Sequence, residues 1–356
     1  MADLSFYKGR RVLVTGHTGF KGSWLCRILE KADAEVVGYS LMPPTEPNLF
    51  NLASIEDGMD SIYGDVRDEG HLNELIAQVR PDVIFHLAAQ PLVHYSYMEP
   101  RLTFETNIMG TVDVLEAIRK TECVSSFVNV TTDKVYLNEE TKEAFTEDRP
   151  LNGYDPYSNS KSCSDLITQS YRKSFFLNSG CAVSTARAGN VIGGGDFAED
   201  RLVPDCVRAA EAEKTIILRN PYSIRPFQHV MEPLSAYLLL GQKQAEDRKL
   251  AGEYNIGPGR GDCVTTGTLA DYFCEFWNRD VPEAEALTWR TEGDAGPHEA
   301  AFLLLDSTKI RKELGWKPEW NIRRAVEKTC EWEKVRIGGG DVRECLDRQI
   351  GEYFDV

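Results

Sequence analysis

The sequence lacks the features that would place it in a membrane or in an oxidising compartment. No run approaches the roughly 20 apolar residues that a membrane-spanning helix needs, and the first residues contain no apolar core of a signal peptide. The nine cysteines are scattered and include no Cys-x-x-Cys pair, so no disulfide framework is expected. The histidines show no metal-ligand spacing. These absences predict a cytoplasmic, metal-free protein with reduced thiols.

Positive charge is also scarce. The chain has 40 Lys and Arg against 56 Asp and Glu, which gives a formal net charge of −16. General affinity for nucleic acid or for an anionic membrane requires a basic surface, so neither partner is expected. A local cluster of arginines can still bind an anionic small molecule. At 356 residues and 42% hydrophobic composition, the chain is long enough for one large and one smaller lobe.

Short apolar runs alternate with helix-like stretches through the first half of the chain. This alternation predicts an α/β fold with a Rossmann-type doubly wound parallel sheet, because parallel strands are joined by helical crossovers. The predicted strands are 11–15, 35–39, 61–65, 82–87, 125–131 and 181–187, and the predicted helices between them are 20–31, 69–79, 100–120 and 157–177.

The pattern changes after residue 188, where the stretch GNVIGGGDF contains too much glycine for regular structure. We expect residues 1–188 to form the first domain and residues 189–356 a smaller mixed α/β lobe that binds substrate. Segments near 225–260 are expected to return to the first sheet. Helical patterns in this half lie near 203–213, 232–246, 266–278, 306–314 and 321–335.

A glycine-rich turn follows the first predicted strand and opens the first helix. Its glycines have the spacing GxxGxxG, which permits a tight turn and close approach of the backbone to a pyrophosphate. A complete βαβ unit follows, which distinguishes the pattern from a chance glycine turn. We therefore predict a dinucleotide site that includes Gly16, Thr18, Gly19, Phe20, Lys21 and Gly22.

The second predicted strand leads into Ser40, where many NAD enzymes have an acidic residue that binds the adenosine ribose. A serine hydroxyl makes single hydrogen bonds and lacks the charged, bidentate contact of a carboxylate. No arginine follows in YSLMPPTEP to pair with a 2′-phosphate. The site is therefore expected to favour NAD over NADP.

A tyrosine and a lysine lie one turn apart at the start of a later predicted helix. Asp155 is suited to cap that helix and Pro156 to occupy its first position. Tyr157 and Lys161 then share one face. A tyrosine ionises near pH 10, so it can act as a base at pH 7 only if a nearby cation stabilises its phenolate. The pattern predicts a catalytic pair, and its alternative is a buried tyrosine beside a solvated lysine.

With this pair and the glycine turn, the chain resembles the extended short-chain dehydrogenase/reductase family. The resemblance extends to Gly64-Asp65-Val66 and Leu87-Ala88-Ala89, which follow predicted strands. It implies that Asp65 and Val66 lie near the adenine. It also implies that Leu87, Ala88 and Ala89 lie beneath the pyrophosphate and nicotinamide ribose, and that Tyr157 and Lys161 contact NAD. Simple close packing of a strand end is a compatible reading of the two alanines.

The segment Thr132-Asp133-Lys134 follows the fifth predicted strand. Taken alone, it fits a strand end with a solvated Asp–Lys pair. In the extended family this position is the mouth of the active site, and an acid followed by a second titratable group resembles the sugar-nucleotide 4,6-dehydratases. Those enzymes usually have Thr-Asp-Glu, so Lys134 is a departure. The resemblance implies that Thr132, Asp133 and Lys134 act with Tyr157 and Lys161.

Within that group, GHTGFKG, HLAAQPLV, Thr-Asp-Lys and DSTKIRKELGWKPEW most resemble the 4,6-dehydratases that act on CDP-glucose. The resemblance implies hydride transfer from C4 of the sugar to NAD and then to C6, with loss of water, in deoxysugar biosynthesis of the kind that supplies lipopolysaccharide O-antigen. It also implies a homodimer, or a higher homo-oligomer, built on helices 100–120 and 157–177. No residue spacing distinguishes cytosine from another base.

A nucleotide diphosphate is best bound by forked guanidinium groups. The second half of the chain offers Arg187, Arg201, Arg219 and Arg225. We expect Arg201 and Arg225 to hold the diphosphate and Asn190 to bind the diphosphate or the sugar.

Three other functions remain open from the sequence: a sugar-nucleotide epimerase, a non-catalytic NAD-binding regulator, and a net oxidoreductase. The Asp133-Lys134 pair counts against the epimerase, because elimination needs an acid and a base that epimerisation does not. A regulator would be expected to lose Tyr157 or Lys161, and both are present.

Overall fold

The computed structural model describes residues 2–138, 143–292 and 303–355. The expected lobe 189–356 therefore includes a stretch, 293–302, that lies outside the described residues. The strands are β1 (Arg11–Thr15), β2 (Glu35–Ser40), β3 (Asp60–Tyr63), β4 (Val83–His86), β5 (Ser126–Thr132), β6 (Ala182–Ala188), β7 (Val191–Ile192), β8 (Ile216–Leu218), β9 (Ile224–Arg225), β10 (Gln228–His229), β11 (Glu253–Ile256), β12 (Val264–Thr265) and β13 (Trp289–Thr291).

Seven of these strands form one parallel sheet in the order β11-β6-β5-β4-β1-β2-β3. Every residue of β5 and β6 is buried, as expected for central strands of a sheet covered on both faces. The predicted α/β fold with a Rossmann-type parallel sheet is confirmed. The third strand ends at Tyr63, so Gly64 and Asp65 begin the loop that follows it.

Helices cover both faces of this sheet. Two π-helical segments, Glu105–Met109 and Arg172–Phe176, directly follow the helices Pro100–Phe104 and Pro156–Tyr171. The helices are α1 (Phe20–Lys31), α2 (Leu49–Leu52), α3 (Glu69–Val79), α4 (Val93–Met98), α5 (Pro100–Phe104), α6 (Gly110–Arg119), α7 (Pro156–Tyr171), α8 (Leu202–Glu211), α9 (Met231–Glu246), α10 (Thr266–Trp277), α11 (Thr308–Leu314), α12 (Ile322–Ile337) and α13 (Val342–Phe354).

Two apolar clusters lie on opposite faces of the sheet. One joins α1, α9 and α13 through side chains such as Trp24, Leu238 and Leu346. The other joins α3 and α6 through Leu72 and Val114. Burial on both faces fixes the strand ends, and the carboxyl ends of parallel strands are where ligands bind in such folds.

A third apolar cluster is formed by α8, α10, α12, β8 and β13 around Phe273, within the residues expected to form the smaller lobe. The chain nevertheless returns to the first sheet, because α9 packs against β5 and β6, and β11 pairs with β6 at the edge of the sheet. Contacts between the two parts of the chain include the Trp24 indole N–H, which donates to the Gly194 carbonyl at 3.1 Å. Across the described ranges, every helix is too short or too polar to cross a membrane.

Candidate active site

The glycine turn after β1 has the shape of a phosphate cradle. Gly16 has φ +77°, and a Cβ there would lie 2.7 Å from the backbone nitrogen of Ala88. A Cβ on Gly22 would lie 2.1 Å from the Gly16 carbonyl oxygen. Helix α1 begins after Gly19 without a side-chain cap, so its first N–H groups remain available. Free amides at a helix N-terminus beside close-packed glycines fit the pyrophosphate of a dinucleotide.

Thr18 and Ser40 meet beside this turn. The Thr18 hydroxyl donates to the carbonyl oxygen of Leu41 at 2.9 Å, and its oxygen lies 2.8 Å from the Ser40 hydroxyl. Because Thr18 has one proton, Ser40 donates to Thr18 and keeps its own lone pairs free. Ser40 is thus oriented as an acceptor for a ligand hydroxyl.

Asp65 and Val66 follow β3. Asp65 accepts a forked hydrogen bond from Arg67, which holds the pKa of its carboxyl below the ordinary range. Val66 is buried, and its side chain packs against Gly110. Asp65 can therefore present a carboxylate to a ligand, whereas Val66 presents its backbone.

Leu87, Ala88 and Ala89 follow β4 at the same edge of the sheet. The Leu87 amide donates to the Thr15 carbonyl at 3.1 Å, and the Ala88 amide donates to the Thr15 hydroxyl at 3.3 Å. These contacts place Ala88 against Gly16, where a larger side chain would fill the space that the glycine turn leaves open.

Tyr157 and Lys161 lie on α7, whose start is fixed as expected by Asp155. The Asp155 carboxylate accepts from the Ser158 amide at 2.9 Å. The Lys161 ammonium is buried and donates to the Val130 carbonyl at 2.8 Å. Burial, with a contribution from Lys21, lowers the pKa of Lys161 to about 7. Burial raises the pKa of Tyr157 to about 12, so its phenol is neutral in the ligand-free protein.

Thr132 and Asp133 lie close to this tyrosine. The Thr132 hydroxyl donates to Asp133 Oδ1 at 3.0 Å, and Thr132 counteracts part of the rise that burial causes in the pKa of Tyr157. Asp133 is only 2% exposed, and burial raises the pKa of its carboxyl. Its Oδ2 has no hydrogen-bond partner among the described residues. Lys134 is half-buried, and its backbone N–H donates to Thr132 Oγ1 at 3.4 Å. A carboxyl with a raised pKa beside a tyrosine is suited to act as an acid.

Arg201 and Arg225 approach this group from the second lobe. Arg201 pairs with Asp196 at 2.9 Å and lies close enough to lower the pKa of Tyr157. Arg225 is buried and donates to the Ile224 carbonyl at 3.0 Å. Its charge lowers the pKa of Asp133, against the larger effect of burial, which raises it. Asn190 is half-buried, and its backbone carbonyl accepts a hydrogen bond from the backbone N–H of Gln228 at 3.0 Å.

Two other polar residues near this edge have structural roles. Arg187 is 0% exposed and makes two hydrogen bonds of 2.8 Å to Asp165, so its guanidinium is not available to a substrate. His229 packs between Trp24 and Trp320, and burial lowers its pKa to about 3. No group of three His, Cys, Asp or Glu suited to a metal ion occurs in the described parts of the chain.

Two side chains lie near Tyr157 and Asp133 although the sequence did not predict them there. Lys21 was expected only in the glycine turn, yet its ammonium lies within electrostatic range of Asp133 and Lys161. Tyr237 on α9 is 0% exposed, and its hydroxyl has no partner among the described residues. Its pKa is raised by burial and further by Tyr157 and Asp133. In the sequence it stands in an apolar helical pattern and therefore resembles a core residue.

The chain matches known proteins over most of its length. The family model described as GDP-mannose 4,6 dehydratase matches residues 13–329. A CDP-glucose 4,6-dehydratase of Salmonella typhimurium is 44% identical, with 100% of this chain and 99% of that protein aligned. A dTDP-glucose 4,6-dehydratase of Shigella flexneri is 27% identical, with 90% and 92% aligned.

Solved structures share the fold at lower identity. A dTDP-glucose 4,6-dehydratase from Bacillus anthracis in complex with NAD has a TM-score of 0.75 at 23% identity, covering 93% of this chain and 99% of that one. A UDP-glucuronic acid 4-epimerase from Bacillus cereus has a TM-score of 0.78 at 21% identity, covering 92% and 99%. The family match and the full-length relative together show that the chain belongs to the GDP-mannose 4,6-dehydratase family of extended short-chain dehydrogenase/reductases.

Proposed function

We propose that the protein is a CDP-glucose 4,6-dehydratase, an NAD-dependent lyase that forms CDP-4-keto-6-deoxy-D-glucose. The observation that carries this proposal is the 44% identity, over the whole chain, to the Salmonella typhimurium enzyme of that name. The clustering of Thr132, Asp133 and Tyr157 supports it, because elimination needs an acid beside the tyrosine.

The residues around the glycine turn fit NAD. The cradle at Gly16 and Gly22 suits its pyrophosphate, Ser40 offers an acceptor to the adenosine ribose, and Asp65 offers a carboxylate to the adenine. The Bacillus anthracis relative was solved in complex with NAD. When bound, NAD supplies the oxidant for C4 and returns the same hydride to C6, so no net oxidation occurs.

The side chains divide the remaining chemistry between them. Tyr157 takes the proton from the 4-hydroxyl, and Lys161 favours its phenolate. The ketone then formed at C4 acidifies the proton on C5. Asp133, whose pKa is raised, protonates the departing 6-hydroxyl. Lys134 removes the C5 proton; in the alternative assignment it remains charged and stabilises the enolate, while water or Asp133 moves the proton.

Arg201 and Arg225 are proposed to hold the diphosphate, with Asn190 on the diphosphate or the sugar. Their support is their position beside Tyr157 and Asp133, at the boundary of the second lobe. A forked guanidinium can bind phosphate oxygens in pairs, and a diphosphate in turn compensates the arginine charge.

We also propose a cytoplasmic homodimer formed by α5, α6 and α7. Leu166 and Phe175 are 49% and 52% exposed, although both are apolar, and Met109 is exposed nearby. Leu115 on α6 faces the core and is not part of this surface. Light scattering at micromolar concentration should give twice the chain mass of 40.0 kDa. A mass of one chain would exclude the dimer.

The test of function is incubation with CDP-glucose and NAD, followed by measurement of the 4-keto sugar and of the nicotinamide absorbance. We expect one 4-keto-6-deoxy product for each substrate consumed, with no net reduction of the cofactor. The dTDP, UDP and GDP sugars serve as alternative substrates, and Tyr157→Phe is the inactive control. A C4 epimer without keto product would favour the epimerase, and steady cofactor reduction would favour the net oxidoreductase.

A further inference from the structure

A glycine-rich loop leads from β7 to Arg201, one of the two arginines proposed to hold the diphosphate. The loop is packed tightly between the two halves of the chain. A Cβ on Gly194 would lie 2.2 Å from the Trp332 side chain. A Cβ on Gly195, which has φ +84°, would lie 2.8 Å from the Leu49 side chain. Packing on both sides therefore leaves the loop little freedom to move.

Two hydrogen bonds fix the backbone of this loop. The Gly194 carbonyl accepts from the indole N–H of Trp24 on α1 at 3.1 Å. The Gly195 N–H donates to Oε1 of Glu333 on α12 at 3.1 Å. Glu333 is only 2% exposed, and Arg336 donates to its other carboxylate oxygen at 2.7 Å. Because Arg336 compensates the buried charge, Glu333 can use Oε1 to hold the loop.

Asp196 connects this loop to Arg201. Its Oδ1 accepts from the Ala198 N–H at 3.2 Å, and its Oδ2 accepts from Arg201 Nη1 at 2.9 Å. The Asp196 side chain is 6% exposed and the Arg201 side chain 37% exposed. A guanidinium has five N–H donors, so a contact through one nitrogen leaves donors for phosphate oxygens. Arg201 is therefore held at one end while part of its side chain is open to a ligand.

Two effects of Asp196 on diphosphate binding oppose each other. An arginine loses rotamer freedom when it binds a phosphate, and a side chain that is already oriented loses less. The negative charge of Asp196, in contrast, repels the diphosphate. That charge is already compensated by Arg201 and by the Ala198 N–H, so we expect orientation to outweigh repulsion.

We infer that Asp196 and Glu333 are positioning residues that hold Arg201 in the orientation that binds the diphosphate of the substrate, an inference that rests on the proposed function. Asp196 acts on Arg201 directly, and Glu333 acts through the backbone of Gly195. Their loss should raise the KM for CDP-glucose and leave kcat close to the wild-type value, because they support binding and not the reacting atoms.

The first experiment is steady-state kinetics with CDP-glucose on enzyme saturated with NAD. We expect Asp196→Ala to raise KM about tenfold, as for loss of a charged hydrogen bond. A neutral hydrogen bond is roughly half as strong as a charged one, so Asp196→Asn should raise KM only about threefold. Asp200→Asn is the matched control. It makes the same change one residue before Arg201, affects an exposed contact to Arg219 at 3.4 Å, and should keep the wild-type KM.

The second experiment replaces Glu333. Glu333→Met removes the acceptor for the Gly195 N–H, whereas Glu333→Gln keeps an oxygen in its place. We expect KM to rise in the methionine variant and to rise less in the glutamine variant. Titration with NAD and the thermal transition show whether each variant is folded, and the NAD affinity should stay at the wild-type value.

A double-mutant cycle shows whether Asp196 acts through Arg201. In the Arg201→Gln background, Asp196→Ala should add no further rise in KM, because the side chain that it positions is gone. Independent, additive losses would overturn the inference, and so would a fall in kcat at unchanged KM. A lower KM in Asp196→Ala would overturn it as well, since repulsion would then dominate. A wild-type protein that makes no keto product from CDP-glucose would refute the proposed function, and with it the inference.

Discussion

Replacement of Ser40 by aspartate tests how the protein binds the adenosine ribose. In the present arrangement, Ser40 donates to Thr18, which itself donates to the Leu41 carbonyl, so Ser40 offers the ribose only an acceptor. An aspartate accepts without donating. Thr18 must therefore turn its proton from Leu41 to the new carboxylate, which then has a second oxygen free for the ribose hydroxyls.

The expected gain follows from the strength of charged hydrogen bonds. A hydrogen bond to a charged group contributes about 1.5–3 kcal/mol, compared with about 0.5–1.5 kcal/mol for a neutral one. Ser40 is 9% exposed, so burial of the carboxylate offsets part of the difference. A net gain of about 1.4 kcal/mol corresponds to roughly tenfold tighter binding of NAD. The 2′-phosphate of NADP should be repelled by the same carboxylate.

Isothermal titration of the ligand-free protein with NAD and with NADP measures both effects. We expect Ser40→Asp to bind NAD about tenfold more tightly and NADP less tightly than the wild type. Ser40→Ala, the matched control, removes the acceptor and should weaken NAD by about fivefold, near 1 kcal/mol. Equal or weaker NAD binding by Ser40→Asp, with an intact thermal transition, would show that the ribose is held elsewhere.

Three further predictions address the chemistry, the cradle and the buried lysine. If Lys134 is the C5 base, Lys134→Met should still oxidise C4 but nearly stop exchanging the C5 proton with deuterated solvent; exchange at the wild-type rate would leave it an electrostatic role. Gly22→Ala, whose Cβ would meet the Gly16 carbonyl oxygen at 2.1 Å, should abolish measurable NAD binding in titration, whereas Gly180→Ala, which meets nothing within 4 Å, should bind normally. The pKa of Lys161 is lowered from about 10.5 to about 7 on folding. Between these pH values the unfolded chain binds a proton at Lys161 that the folded chain does not bind. Lys161 therefore makes folding more favourable as the pH rises. In urea unfolding, the stability of the wild type relative to Lys161→Met should therefore increase from pH 7 to pH 9; a constant difference would contradict the lowered pKa.

The fold was largely predictable from the sequence because its signals are local. Strands buried on both faces give short apolar runs, and the crossover helices between them keep helical periodicity. The glycine turn and the pair Tyr157 and Lys161 could be recognised equally well, because the first motif lies within a single turn and the second within a single helix. The ends of elements differed by a few residues, as at Tyr63, where the third strand stops before Gly64.

The remaining part of the site depends on contacts between distant segments. From the sequence, Arg187 and Arg201 are equally plausible ligands for a diphosphate. Only the fold shows that the Arg187 guanidinium is bound to Asp165. Tyr237 follows the apolar pattern of α9, so nothing local distinguishes its hydroxyl from that of a core tyrosine. Whether the Lys21 side chain points to solvent or to the chemical site is decided by how α1 packs beside α9, and this packing is not a local property.

The late addition of β11 to the edge of the sheet affects how the protein folds during synthesis. During synthesis β6 is complete about 65 residues before its outer neighbour, and α9, which covers one face of the sheet, also comes later. Until then the nascent chain carries an open strand edge and an uncovered apolar face, both of which promote association with other chains. Stable completion of the sheet must therefore wait until β11 has been synthesised, so the first half of the chain depends on the second half to finish folding.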